Sequence, residues 1–184
     1  KEVTLMNEII TIRASKFLSD ELAKKVAQMC WGTSAPQYVN CVRKVVFDGL
    51  TDENDCFEVI AETAKGEVVG RVHCIRNETD FSLWCYGDLF VTPEYRRMGI
   101  ARQMAETAIS RLSEMGAAVL RCYVDPDNMP SRNLQKSIGF EEKPFKTFNL
   151  LDNDGEIMYE IKIPSCFCVI PATSDEAYFV RIMF

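Results

Sequence analysis

Histidine is nearly absent from this chain; His73 is the only one. None of its eight cysteines forms a Cys-x-x-Cys pair. Cys30, Cys41, Cys56, Cys74, Cys85 and Cys122 are scattered, and only Cys166 and Cys168 lie close together. A zinc site draws on Cys or His in tight pairs, so no metal ligand set is expected. Isolated cysteines among apolar neighbours read as buried free thiols in a reducing compartment, which makes the cytoplasm the expected location. Long apolar runs are also missing: the longest, Ile161 to Ala172, is broken by Lys162, Pro164, Ser165 and Pro171. It falls short of the ~20 residues of a membrane-spanning helix, so no membrane partner is expected. No secretory signal is visible, and the first residue is Lys1. Neither glycine-rich nucleotide string, Gly-x-x-x-x-Gly-Lys-Ser/Thr or Gly-x-Gly-x-x-Gly, occurs. With no repeat, low-complexity tract or linker, residues 1–184 read as a single domain.

What is present is an ordinary globular balance, 47% hydrophobic and 26% charged over 184 residues. The net charge of −6, with no basic stripe, argues against nucleic acid as a partner. Glu8 to Ala14 alternates weakly, as a first strand would. Ser19, Asp20 and Glu21 offer an N-cap and a negative first turn to a helix carrying Leu22, Val26, Met29 and Cys30, with Gly32 as its stop. Pro36 can open a second helix. The period then changes to two: Phe57 to Thr63 and Val68 to Ile75 read as an antiparallel hairpin across Ala64–Glu67. A third strand, about Ser82 to Val91, precedes an amphipathic helix carrying Ala101, Met104, Ala105, Ala108, Leu112 and Met115, closed by Gly116. Ala117 to Val124 is apolar without clean alternation, the pattern of a strand covered on both faces. Pro130 opens a short helix ending at Gly139, and Phe140 begins further strands. Cys166–Ile170 and Ala177–Met183 are candidates for a C-terminal hairpin, the latter able to pair across a homodimer. The sum is an α/β fold: a mixed, mostly antiparallel sheet of about seven strands flanked by about four helices, with a parallel pair across the Val91-to-Val119 crossover.

The segment Asp88 to Met104 carries the chemistry. An apolar strand ends, a proline turn follows, and a loop of small residues enters a helix. Helix N-termini present N–H groups without intrahelical partners and the positive end of the dipole, so an anionic diphosphate can approach them where side chains are small. Gly99 and Ala101 supply that surface, and Arg96, Arg97 and Arg102 make it locally cationic. The same glycine and alanine could simply serve helix–sheet packing, and the three arginines could be solvated surface charges.

Here the sequence resembles the GNAT superfamily of N-acetyltransferases. The family's coenzyme motif, Gln/Arg-x-x-Gly-x-Gly/Ala, is matched by Arg96-Arg97-Met98-Gly99-Ile100-Ala101. A second block, Val124-Asp-Pro-Asp-Asn128 followed by Ser131 to Phe140, is similar to the family's Asn…Leu-Tyr…Gly-Phe ending. The resemblance covers roughly Glu58 to Phe148. It implies that backbone amides from Met98 to Arg102 hold the diphosphate of acetyl-CoA. It implies that the pantetheine arm lies along the strand ending Leu89-Phe90-Val91, where a bulge near Leu89 and Phe90 aims an N–H at the thioester oxygen. It also implies that Asn128 hydrogen-bonds the coenzyme arm.

One departure stands out. Where the family often has a tyrosine as acid to the departing thiolate, this chain has Gln135 after Leu134. A thiolate whose conjugate acid has pKa ~8.5 leaves tolerably without an acid, and Tyr123 is the available substitute. Asp88 is the first candidate for the base, although a paired strand-end acid is the blander reading. Glu94, His73 and Tyr86 rank behind it. Trp84, Phe81 and Tyr86 can be pocket or core, and Asn128 can equally be a helix cap. The expected activity is acetyl transfer from acetyl-CoA to the amine of a small molecule or peptide by direct attack, since no cysteine follows the coenzyme motif with a histidine partner. A coenzyme-binding sensor without turnover, or a structural domain that has lost the ligand, would keep the same fold.

Overall fold

The computed structural model describes residues 9–15, 18–44, 56–144 and 156–164. The expected C-terminal strands Cys166–Ile170 and Ala177–Met183, and with them the suggested dimer contact, lie outside the described residues. The strands are β1 (Ile10–Ser15), β2 (Cys56–Thr63), β3 (Val68–Arg76), β4 (Leu83–Val91), β5 (Val119–Val124), β6 (Glu141–Lys143) and β7 (Ile157–Lys162). They form one sheet in the order β1-β2-β3-β4-β5-β7-β6. The helices among the described residues are α1 (Asp20–Trp31), α2 (Pro36–Lys44), α3 (Ile100–Glu114) and α4 (Met129–Ile138). This is the mostly antiparallel α/β architecture expected. By internal contacts the chain divides into two compact units, Lys1–Ile75 with Tyr86–Ala108, and Arg76–Cys85 with Ile109–Phe184. No helix among the described residues is long and apolar enough to cross a membrane.

In the first unit, local signals act as read. Ser19 caps α1, its Oγ accepting from Leu22 N at 3.2 Å, and Gly32 ends the helix at φ +67°. Leu22, Ala23, Val26 and Ala27 pack with Val39 and Val42 of α2 and with Ile60 and Val68 of the sheet. Between β2 and β3 the amides of Lys65 and Glu67 donate to Thr63 Oγ1. The turn pairs Glu62 with Val68, and a register shift between Ala61 and Glu62 then sets Val59 opposite Val72, Ile60 opposite Arg71 and Glu58 opposite His73. The hairpin is found as expected, and every residue of β3 from Val68 to Cys74 is buried, Arg71 and His73 included. A charged residue at an alternate strand position therefore marks an interior network here, not solvent.

Gly70 of β3 lies where the sheet meets α3. A Cβ built there would stand 3.0 Å from Met104 Cε and 3.1 Å from the Phe90 carbonyl oxygen. Met104 can swing, but the β4 backbone cannot. Gly70→Val is accordingly expected to cost about 1–3 kcal/mol through overpacking. A urea midpoint equal to the parent's would contradict this account of the packing.

In the second unit, Leu83 to Cys85 of β4 pair in parallel with β5, Leu83 opposite Val119 and Cys85 opposite Arg121. The parallel pair is thus found where expected. β7 runs antiparallel to β5, Tyr159 opposite Cys122, and β6 pairs with β7. The reading of β5 as covered on both faces needs correction. Leu120, Cys122 and Val124 are buried, while Val119, Arg121 and Tyr123 are only half-buried. Arg121 explains one of these: its Nε reaches Glu160 Oε2 of β7 at 2.8 Å, and a guanidinium keeps part of its surface in water. Asn128 caps α4, its Oδ1 accepting from Ser131 N at 3.2 Å, and Gly139 closes the helix at φ +110°.

Candidate active site

Two local features of the first unit lie on the stretch Asp88 to Arg102. The first is the loop before α3. After Val91, Thr92 N bonds back to Val69 O, and Pro93–Tyr95 make one 3-10 turn. Arg97 and Gly99 then adopt positive φ, +65° and +80°, and Gln103 N makes the first helical bond, to Gly99 O at 3.0 Å. The amides of Gly99, Ile100 and Ala101 precede that bond and have no intrahelical acceptor, while the dipole adds partial positive charge. Ile100 is buried at its side chain and so offers only backbone, whereas Arg96, Arg97, Met98 and Gly99 are exposed. The residue type at Gly99 is set by φ, because an added Cβ would meet only Gln103 Nε2, at 3.7 Å. That space is open to a ligand. Backbone strain at a non-glycine, Arg97, beside a helix start is the kind of feature that binding loops retain.

The arginines divide by task. Arg96 Nε donates to Val91 O at 2.9 Å, and its guanidinium lies 5.8 Å from the Phe90 ring centroid, so it ties the loop to the end of β4. Arg102 leans on Glu106 at 3.5 Å. Arg97 stays exposed at its strained position.

The second feature is the end of β4. Asp88 is a non-glycine at φ +51° inside a strand, so the backbone irregularity falls one residue before Leu89 and Phe90. Its carboxylate is 67% exposed and lies 3.8 Å from Arg71 Nη2. Arg71 is itself forked onto Glu58, with Nε to Oε2 at 3.3 Å and Nη2 to Oε1 at 2.8 Å. His73 Nδ1 lies 3.0 Å from the same Oε1. A carboxylate can only accept, so Nδ1 carries the proton in that contact, and the buried Nε2 has no partner among the described residues. The Cys30 thiol of α1 also bonds Arg71; burial pushes its pKa up, partly offset by that cation. Burial opposes the charge on Arg71, but Glu58, Cys30 and Asp88 outweigh it and leave its pKa above the usual value. Glu58 and Arg71 are the residues that reading by pattern missed.

In the second unit, burial, followed by Cys85, pushes the Tyr123 phenol above its ordinary value, so it holds its proton through neutral pH. Gln135 is buried in α4. Trp84 and Tyr86 are buried, whereas Phe81 is exposed with Arg76 4.6 Å from its ring centroid. Asn128 commits its oxygen to the cap of α4. Glu94 sits in the 3-10 turn. Among the described residues, no group of three or more His, Cys, Asp or Glu could hold a metal ion. Cys30, Cys56, Cys74, Cys85 and Cys122 carry their sulfur as thiols and not in disulfides, and three of them are buried.

A profile of the acetyltransferase (GNAT) family matches residues 20–140, a span that takes in both features. No curated protein gives a significant match. Among solved structures, an N-acetyltransferase from Staphylococcus aureus Mu50 superposes with a TM-score of 0.65 at 16% identity, covering 85% of this chain and 99% of its own. A GNAT-family acetyltransferase from the same organism gives 0.64 at 13%, covering 84% and 100%. Nourseothricin acetyltransferase gives 0.52 at 24%, covering 62% and 69%. At these identities the likeness is one of fold.

Proposed function

We propose that this chain, which belongs to the acetyltransferase (GNAT) family, transfers an acetyl group from acetyl-CoA to a primary amine of a small molecule or peptide. The observation that carries the reading is the turn before α3, where positive φ at Arg97 and Gly99 leads into first-turn amides without intrahelical acceptors. Those residues fit a diphosphate: main-chain donors, a helix dipole, an exposed arginine and no side chain in the way. The amides from Met98 to Arg102 would hold it, and the strand ending Leu89-Phe90-Val91 would carry the pantetheine arm. Acetyl-CoA supplies an activated acyl carbon and a thiolate leaving group.

The chain's own groups have three tasks. An amine of pKa ~10 is mostly protonated at neutral pH, so an anionic group must draw it in and accept its proton, directly or through water. Asp88 is the exposed carboxylate on the coenzyme strand, and its position suits both steps. A backbone N–H at Leu89 or Phe90 would face the thioester oxygen as negative charge develops. Tyr123 is the phenol proposed to assist the thiolate. Burial holds its pKa above the ordinary phenol value, so it acts by donating a hydrogen bond rather than by giving up its proton to the thiolate.

The reading is tested by thermal denaturation with and without acetyl-CoA, followed by a thiol-release assay across a panel of amines. A ligand selective for the folded state at 100 times its Kd stabilises by about 2.7 kcal/mol, an upward shift of several degrees. Stabilisation together with amine-dependent thiol release is expected. Stabilisation without release on any amine would replace the enzyme with a coenzyme sensor, and no stabilisation would overturn coenzyme binding.

A further inference from the structure

The network beneath Asp88 has no task in coenzyme binding. Arg71 and Glu58 are each 2% exposed, and a buried pair of this kind is commonly no more stabilising than apolar residues of similar volume. Its geometry points outward. The Nη2 that grips Glu58 Oε1 at 2.8 Å is the same atom that stands 3.8 Å from Asp88 Oδ2. An exposed aspartate on its own exchanges rotamers freely; a cation locked from below by a two-bond fork favours one of them. The other charged and titratable groups of this network are Glu58 from β2, His73 from β3 and Cys30 from α1, all joined through the Glu58 carboxylate or the guanidinium. Asp88 φ of +51° fixes the backbone, and the cation fixes the side chain.

We propose that Arg71, locked by Glu58, is a positioning residue that holds the Asp88 carboxylate over the end of β4 for its work on the acceptor amine. This rests on the acetyl transfer proposed above and on the part of Asp88 in it.

Arg71→Lys keeps the charge but loses the fork. Glu58→Gln with Arg71→Met removes the ion pair while the new amide oxygen can still accept from His73 Nδ1–H, leaving no unpaired buried charge, and covers the case in which the lysine variant does not fold. Each is measured with and without Asp88→Asn for kcat, for acetyl-CoA affinity by calorimetry, and for Asp88 χ1 scalar couplings by NMR. The expected result is a loss of kcat on the order of 10- to 100-fold, the scale of a catalytic group displaced by about 1 Å. Coenzyme affinity stays within about twofold, and the loss vanishes when Asp88→Asn is already present, because coupled residues are not additive. The couplings should show one rotamer in the parent and averaging in the variants. Equal losses with and without Asp88→Asn, no loss at all, or averaged couplings in the parent would each overturn the proposal. A parent that binds no acetyl-CoA or releases no thiol is a different failure, that of the acetyl-transfer reading, and the rotamer measurement then still decides the placement of Asp88.

Discussion

Gly99→Glu is expected to abolish acetyl-CoA binding: a calorimetric titration that saturates for the parent gives no saturable heat for the variant. Two effects combine. Gly99 stands at φ +80°, where a residue bearing a Cβ pays about 1–2 kcal/mol in left-handed strain. The new side chain also places a carboxylate beside the amides and dipole that would otherwise face a diphosphate. Gly99→Ala separates them. Its Cβ meets only Gln103 Nε2 at an ordinary 3.7 Å, so it carries the strain without the charge and should bind measurably, between the parent and the glutamate variant. A Gly99→Glu protein that bound with parental affinity would remove the loop from the coenzyme site.

Asp88→Asn should reduce turnover by about 10²- to 10⁴-fold, the usual worth of a positioned proton acceptor, with acetyl-CoA affinity nearly unchanged. The substitution is well matched to its position. Asparagine tolerates positive φ about as well as aspartate does, so the backbone at +51° is retained and only the charge and basicity are lost. Arg71 then faces a neutral amide at the exposed end of its network and keeps Glu58, so the melting temperature should hold. Steady-state kinetics on an accepted amine decide the matter. Turnover equal to the parent's would leave Asp88 a structural acid.

Much of the architecture was legible because its signals are local. Ser19 and Gly32 bound α1, Asn128 and Gly139 bound α4, and the Thr63–Glu67 turn joins β2 to β3, each through a cap or turn whose chemistry the residue type declares. The loop of Arg96 to Ala101 was legible for the same reason, since a glycine at a helix start announces both positive φ and close approach. The anchor under Asp88 was not. Counting back from the hairpin turn would put Glu58 opposite Val72 and Ile60 opposite Gly70; the register shift between Ala61 and Glu62 instead brings Glu58 opposite His73 and Ile60 opposite Arg71, and no residue type announces that shift. What alternation cannot disclose is which layer covers a strand face; Arg71 and Glu58 are buried, and the thiol that bonds Arg71 comes from Cys30 of α1. β5 misled in the opposite sense, because Tyr123 and Val119 look apolar in sequence but lie on a half-open face. The strand expected after Phe140 is present as β6, although Glu141-Glu142-Lys143 has no apolar pattern of its own and is held by pairing with β7.

The most direct test of the whole account is amide NMR of the loop during titration with acetyl-CoA. The N–H resonances of Gly99, Ile100 and Ala101 should shift saturably and together, at the same midpoint as the calorimetric heat, as each donor acquires an anionic acceptor. Saturable binding that left those three amides unmoved would place the diphosphate elsewhere and contradict the account at its base.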